Sequence, residues 1–157
     1  TTLHYVEELI PVLKELERKY AFEFHVICNV RPDFDLKSMR YVEWSKKSEI
    51  EDLSKINIGL MPLKNNIWAK GKCAFKALQY MALEIPVVLS PVGTNLDVVT
   101  DGVEGYFADN SLDWKQSIER LIIDAALRKR QGEAGRAKVE KEYSVTAYKQ
   151  TYLKCFQ

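Results

Sequence analysis

The segment Gly71-Lys72-Cys73-Ala74-Phe75-Lys76-Ala77-Leu78-Gln79-Tyr80-Met81-Ala82, followed by Ile85-Pro86-Val87-Val88-Leu89-Ser90, constrains the fold more than any other part of the chain. It reads as a glycine turn, a helix over 71–82 and a short strand over 86–90. A strand that is apolar along its whole length is buried on both faces, which is the condition of a parallel sheet. Parallel neighbours in turn need helical crossovers. At about 100° per residue, Ala74, Phe75, Leu78, Met81 and Ala82 share an apolar arc. Lys72, Lys76 and Gln79 share a narrow arc opposite.

The rest of the chain alternates in the same way. Val6, Leu9, Ile10, Leu13 and Leu16 form a helical stripe over 3–20, with Pro11 as a kink. Strands are expected over 22–29 and 40–44, a helix over 48–55 and a buried strand over 56–61 ended by Pro62. The loop Pro91-Val92-Gly93-Thr94 leads into a short helix, with Thr94 and Asp97 as a capping pair. A small edge strand follows over 105–108. From Ser111, the expected N-cap, the pattern is wholly helical: Trp114, Ile118, Leu121 and Ile122 share one face, Gly132 and Gly135 interrupt a second helix, and a last helix covers 145–156. There is no internal repeat, low-complexity tract or linker.

These elements predict an α/β protein, a Rossmann-like doubly wound parallel sheet with a helical C-terminal segment, forming one domain over 1–157. A crossover helix normally follows the strand it returns from. Here the first element is a helix, so the expectation is an excised piece whose leading strand lies upstream of Thr1.

Composition narrows the function classes. A length of 157 residues with 46% hydrophobic and 29% charged residues can bury a substantial core and argues against disorder. A net charge of +1 gives no basic footprint, so no nucleic-acid partner is expected. No apolar run reaches the length of a transmembrane segment, no signal-peptide pattern opens the sequence, and a cytoplasmic setting is expected. Cys28, Cys73 and Cys155 are widely spaced, and His4 and His25 are the only histidines, so neither a disulfide framework nor a metal site is expected.

In open α/β sheets ligands bind at the carboxyl ends of the strands. Three loops fall there: 44–48, 62–71 and 91–95. The second leads into the lysine-bearing helix. Cations in the first turns oppose the helix dipole, at a cost of roughly 0.3–1 kcal/mol each when exposed. A bound anion would reverse the sign, because free N–H groups and both ammonium groups would converge on it. Two solvated lysines on an ordinary amphipathic helix fit the same residues. Gly71 permits close backbone approach to a ligand. Gln79, on the face of Lys72, is either a ribose ligand or a surface amide. Trp68 either packs over a sugar or closes the loop; Trp44 flanks a base or sits at the rim. Cys73 has no nearby histidine or acid in sequence and reads as a packing residue, and His25 as structural. Neither Gly-x-Gly-x-x-Gly nor a P-loop is present.

The order Ile58-Gly59-Leu60-Met61-Pro62, Gly71-Lys72, Lys76-Ala77-Leu78-Gln79-Tyr80-Met81-Ala82, Pro86-Val87-Val88 and Pro91-Val92-Gly93 resembles family 4 glycosyltransferases of the GT-B fold. Asp101-Gly102-Val103-Glu104-Gly105-Tyr106 looks like that family's D-G-x-x-G turn. The similarity covers about 6–143 and corresponds to the C-terminal, nucleotide-sugar-binding half. It implies a retaining, metal-independent transferase, with donor contacts at Gly71, Lys72, Cys73, Ala74, Lys76, Gln79, Trp44, Ser45 and Gly93. The backbone after Val42–Trp44 would edge the base. The family's glutamate pair, for the sugar and the ribose, falls on Gly71 and Gln79, so the sugar end of the site is unaccounted for. The resemblance further implies that an Arg/Lys diphosphate segment, a central strand beside that over 22–29, and an N-terminal acceptor-binding domain are missing. It therefore predicts a gap, a rearranged sheet or a borrowed strand between 22–29 and 56–61. The alternative expectation is a non-catalytic nucleotide- or anion-binding module.

Overall fold

The computed structural model describes residues 3–156. The chain is a mixed α/β fold with parallel strands and a helical C-terminal segment. Strands β1 (Phe24–Cys28) and β2 (Met39–Glu43) pair in parallel, and β3 (Gly59–Met61), β4 (Val87–Leu89) and β5 (Gly105–Phe107) form a second parallel set in that order. β4 is central and buried on both sides, as its apolar sequence requires. Val88 packs with Leu9, Leu13, Leu16, Trp114, Ile118 and Leu121 on one face. Val87 and Leu89 pack with Ala74, Ala77, Met81 and Val98 on the other.

One continuous sheet does not form. β1 and β3 are not hydrogen-bonded to each other, and a cavity of about 1070 Å³ lies between them. Its walls include Phe24, Val26, Leu60, Leu13, Ile118 and Tyr80. Of the three outcomes expected between 22–29 and 56–61, the structure takes the gap.

Several local expectations are corrected. The first helical stripe divides into α1 (Leu3–Glu7) and α2 (Ile10–Glu17), with Pro11 in the first turn of α2, where its missing N–H is not needed. α3 (Glu49–Ser54) follows β2 as expected. A short α4 (Ile67–Lys70), capped by the Asn66 side chain on the Ala69 N–H at 2.8 Å, was not foreseen in the loop after β3. α5 (Phe75–Ala82) begins four residues later than Gly71. Its buried face is Ala74, Ala77 and Met81, which leaves Phe75 60% exposed at the cavity. α6 (Asn95–Val98) has no side-chain cap from Thr94. Asn110, not Ser111, caps α7 (Ser111–Ile123), accepting from Leu112 and Asp113 N–H. α8 (Ala125–Lys138) runs unbroken through Gly132 and Gly135. A Cβ at Gly132 would lie 2.0 Å from the Glu84 carbonyl oxygen, so this glycine serves helix approach, not interruption. A π-helical turn (Val139–Tyr143) leads to α9 (Val145–Lys154).

Candidate functional site

The loops after β2, β3 and β4 meet at one end of the strands. Leu63 N–H donates to Ser90 Oγ at 3.0 Å, tying the β3 and β4 loops. Gly93, at φ +57°, packs on the Lys70 backbone, where a Cβ would come within 3.0 Å of Lys70 Cα and O. Lys76 Nζ donates to Glu49 Oε1 at 3.0 Å, tying α5 to α3 beyond β2.

α5 supplies the centre of the site. Ala74 precedes it in the left-handed conformation (φ 52°, ψ 23°), and no side chain caps the helix start. Its seating on β3 is close: a Cβ at Gly59 would fall 2.4 Å from the Tyr80 ring. Burial there pushes the Tyr80 phenol up to about 12. Gly71, exposed and at φ −77°, leaves open space around its Cα; the atom nearest to an added methyl would be Trp68 O, at 3.6 Å.

Neither lysine is simply solvated. Lys76 is paired with Glu49, whose side chain is 21% exposed. Lys72 Nζ lies 5.5 Å from the Tyr5 ring centre, a cation–π contact. The Lys76 ammonium hydrogen-bonded to Glu49 holds its carboxyl below the usual range against desolvation, and the polar groups of Trp44 and Gln79 act in the same direction.

Thus the structure gathers Trp44, Lys76 and Gln79 around Glu49, a residue that sequence reasoning missed. Gln79 Oε1 is buried without a hydrogen-bond partner. Cys73 is a free, exposed thiol, not a packing residue, and it lines the cavity with Gly71, Lys72, Phe75 and Trp44. Ser45 Oγ accepts from the Lys47 N–H at 3.3 Å instead of joining that cluster, and Gly93 packs on Lys70. Trp68 is 76% exposed on α4. His25 bonds Glu23 at 3.0 Å, in keeping with a structural role. Among the described residues no His, Cys, Asp or Glu group could hold a metal ion, and no helix is long and apolar enough to cross a membrane.

Comparisons with known proteins place this geometry in context. The model of the family described as "Glycosyl transferases group 1" matches residues 42–138. The capsular polysaccharide biosynthesis glycosyltransferase CapM of Staphylococcus aureus is 35% identical over 71 residues, 43% of this chain and 18% of that protein. The C-terminal domain of a group 1 glycosyl transferase (LpcC) from Francisella tularensis superposes with a TM-score of 0.74 at 19% identity, covering 89% of this chain and 80% of that one. Anabaena HepE, solved with UDP and glucose, gives a TM-score of 0.74 at 12% identity, covering 92% of this chain and 43% of that one. This chain therefore spans less than half the length of CapM and HepE.

Proposed function

Because the chain belongs to the group 1 glycosyl transferases, we propose that it is the donor-binding domain of a retaining, metal-independent transferase. The full enzyme would move a hexosyl unit from a nucleoside-diphosphate sugar to a glycan or lipid-linked acceptor. The observation that carries this reading is the uncapped start of α5, with Lys72 and Lys76 beside it and Trp44 and Gln79 at the same strand ends. Such a site stabilises a leaving diphosphate electrostatically, without a strong acid to protonate it. Lys72 exchanges its contact with Tyr5 for phosphate oxygens, the Gly71–Ala74 backbone N–H groups approach the same oxygens, and Lys76 carries the second charge. The UDP and glucose found in HepE and the capsular role of CapM support a nucleotide-sugar donor and a polysaccharide product.

The acceptor-binding domain and the remaining diphosphate ligands belong, on this reading, to polypeptide outside these residues. A further strand would pair in the gap between β1 and β3. The 157-residue chain alone binds nucleotide weakly and turns nothing over. The enzyme works in the cytoplasm, peripheral to the membrane where its acceptor is lipid-linked. A non-catalytic nucleotide- or anion-binding module is the second reading, which needs only the uncapped start of α5 and Lys72, since Lys76 is already paired with Glu49.

Thermal shift with UDP, GDP, ADP, their sugar conjugates and pyrophosphate tests the choice. The transferase reading expects a rise in Tm selective for one nucleoside diphosphate and lost in Lys76→Ala. Equal shifts with pyrophosphate and every nucleotide would favour the anion module. No shift with any of them would overturn both.

A further inference from the structure

α4 is four residues long, and a single helical turn has no stability of its own. Contacts at both ends hold it. Asn66 Oδ1 accepts from the Ala69 N–H at 2.8 Å, and Asn66 Nδ2 donates to Tyr5 Oη at 3.4 Å. The N–H groups of Gly71 and Lys72 donate back to Ile67 O and Ala69 O, at 3.2 and 3.1 Å. Ala69 is buried, and a Cβ at Gly93 would come within 3.0 Å of the Lys70 backbone. This anchoring holds two apolar side chains out into solvent: Ile67 is 92% and Trp68 76% exposed. A residue that closes a loop is covered by it, so Trp68 does not have that role.

Flanking the pair in the chain are Asn65 and Lys70, both exposed. Neither side chain has a hydrogen-bond or ion-pair partner among the described residues. A protein interface takes about 800 Å² per partner, more than two side chains supply. A fixed aromatic plane beside free amide and ammonium donors instead matches a pyranose, which presents a C–H face and a rim of hydroxyls. Such a plane binds at little cost in conformational entropy. Its place is also defined. Gly71 and Lys72, one turn on, line the cavity beside α5, whereas Trp68 does not. A ring seated on Trp68 is therefore outside the donor crevice and next to its phosphate end. Resting on the donor-site reading above, we propose that Trp68 is the platform for a pyranose ring of the acceptor glycan, with Asn65 and Lys70 as ligands for its hydroxyls. The donor-binding domain then takes part in acceptor choice.

The test is an NMR titration of the 157-residue chain. Its three tryptophans give three indole N–H resonances, and Trp68→Phe identifies the one from Trp68. The probes are the methyl glycosides of glucose, galactose, mannose and N-acetylglucosamine, taken to tens of millimolar, and UDP, GDP and ADP. At least one glycoside is expected to move the Trp68 resonance saturably and to leave that of buried Trp114 in place. Trp68→Ala should weaken this glycoside about tenfold or more, and Trp68→Phe, which keeps a plane, by no more than about threefold. The affinity of the tightest nucleotide should be unchanged in both, and an unmoved Trp114 resonance shows that they fold. If nucleotide binds and no glycoside reaches Trp68, this proposal alone is overturned. The same follows if Trp68→Ala weakens glycoside and nucleotide equally, because Trp68 would then shape the donor site. Broadening of the Trp68 resonance by phosphatidylglycerol vesicles, with no response to glycosides, would overturn it in favour of a membrane contact. Absence of nucleotide binding by wild type would overturn the donor-site reading, and the acceptor assignment with it.

Discussion

Lys76 is the residue whose behaviour in sequence and in structure differs most instructively. Its place near the start of α5 was legible as an electrostatic misfit, yet its partner was not, because Glu49 lies 27 residues away on another helix. Glu49 stands in the first turn of its helix, where the dipole favours an acid whatever that acid touches. The available clue was positional: α3 begins where β2 ends, at the same side of the sheet as α5. The pair also sets a pH dependence. The folded state holds Glu49 below the range of an unfolded glutamate. Its stabilisation is therefore complete above about pH 4.3 and is lost as pH falls through the lowered folded value. Urea denaturation of wild type and Glu49→Gln between pH 3 and 7 should show the difference in stability between them shrinking on the acid side. A constant difference would mean that the carboxylate's charge contributes nothing. Glycines make a second comparison at this scale. Gly93→Ala forces a left-handed non-glycine residue against the Lys70 backbone, a cost of about 1–2 kcal/mol and a Tm lower by about 2–8 °C. Gly71→Ala, at φ −77° with room for a methyl, should leave Tm unchanged and weaken nucleotide binding alone.

At the scale of elements, periodicity and breakers located β1–β5 and the long helices to within a few residues. They failed where a tertiary contact decides. The apolar arc assigned to α5 included Phe75, but the helix turns Ala77 inward because a small residue lets it sit close on the sheet. Gly132 and Gly135 read as helix breakers for the same reason: propensity alone cannot see the Glu84 carbonyl or Met81 against which they pack. That contact separates them by experiment. Alanine in a helix interior gains about 1 kcal/mol over glycine. At Gly132 the added methyl would meet a backbone oxygen at 2.0 Å, an overpacking cost of roughly 1–3 kcal/mol or more. Gly132→Ala should therefore lower Tm. At Gly135 the nearest atom, 3.1 Å away, is Cγ of a flexible methionine, so Gly135→Ala should be neutral or raise it. Paired melts decide the matter. If both variants melt above wild type, α8 does not pack on the turn after α5 as described.

For the whole molecule, the doubly wound class followed from strands alternating with helices, whereas the interruption between β1 and β3 was one of three outcomes that only the family resemblance implied. What the sequence could not specify was how the two edges would be left, since that depends on whether helices on either face hold them apart. They do: Leu13 and Ile118 line the gap on one face and Tyr80 on the other. The backbone then carries a testable signature. Phe24 N–H donates to Ser38 O, and Cys28 O accepts from Trp44 N–H. Alternation in a parallel ladder directs the amides of Phe24, Val26 and Cys28 toward β2, and those of His25 and Ile27 toward the gap. Gly59 N–H donates to Pro86 O and Met61 O accepts from Ser90 N–H, so the Leu60 amide likewise faces the gap. Unpaired edge amides open at little cost, whereas ladder amides exchange only through larger openings. Hydrogen exchange followed by NMR should find His25, Ile27 and Leu60 at least ~100-fold faster than Val26 and Met61. Equal protection at both sets would mean that the edges are closed in solution, either on each other or on a second chain. Dilution would tell these apart, because protection lent by a second chain falls with concentration and protection from an internal pairing does not.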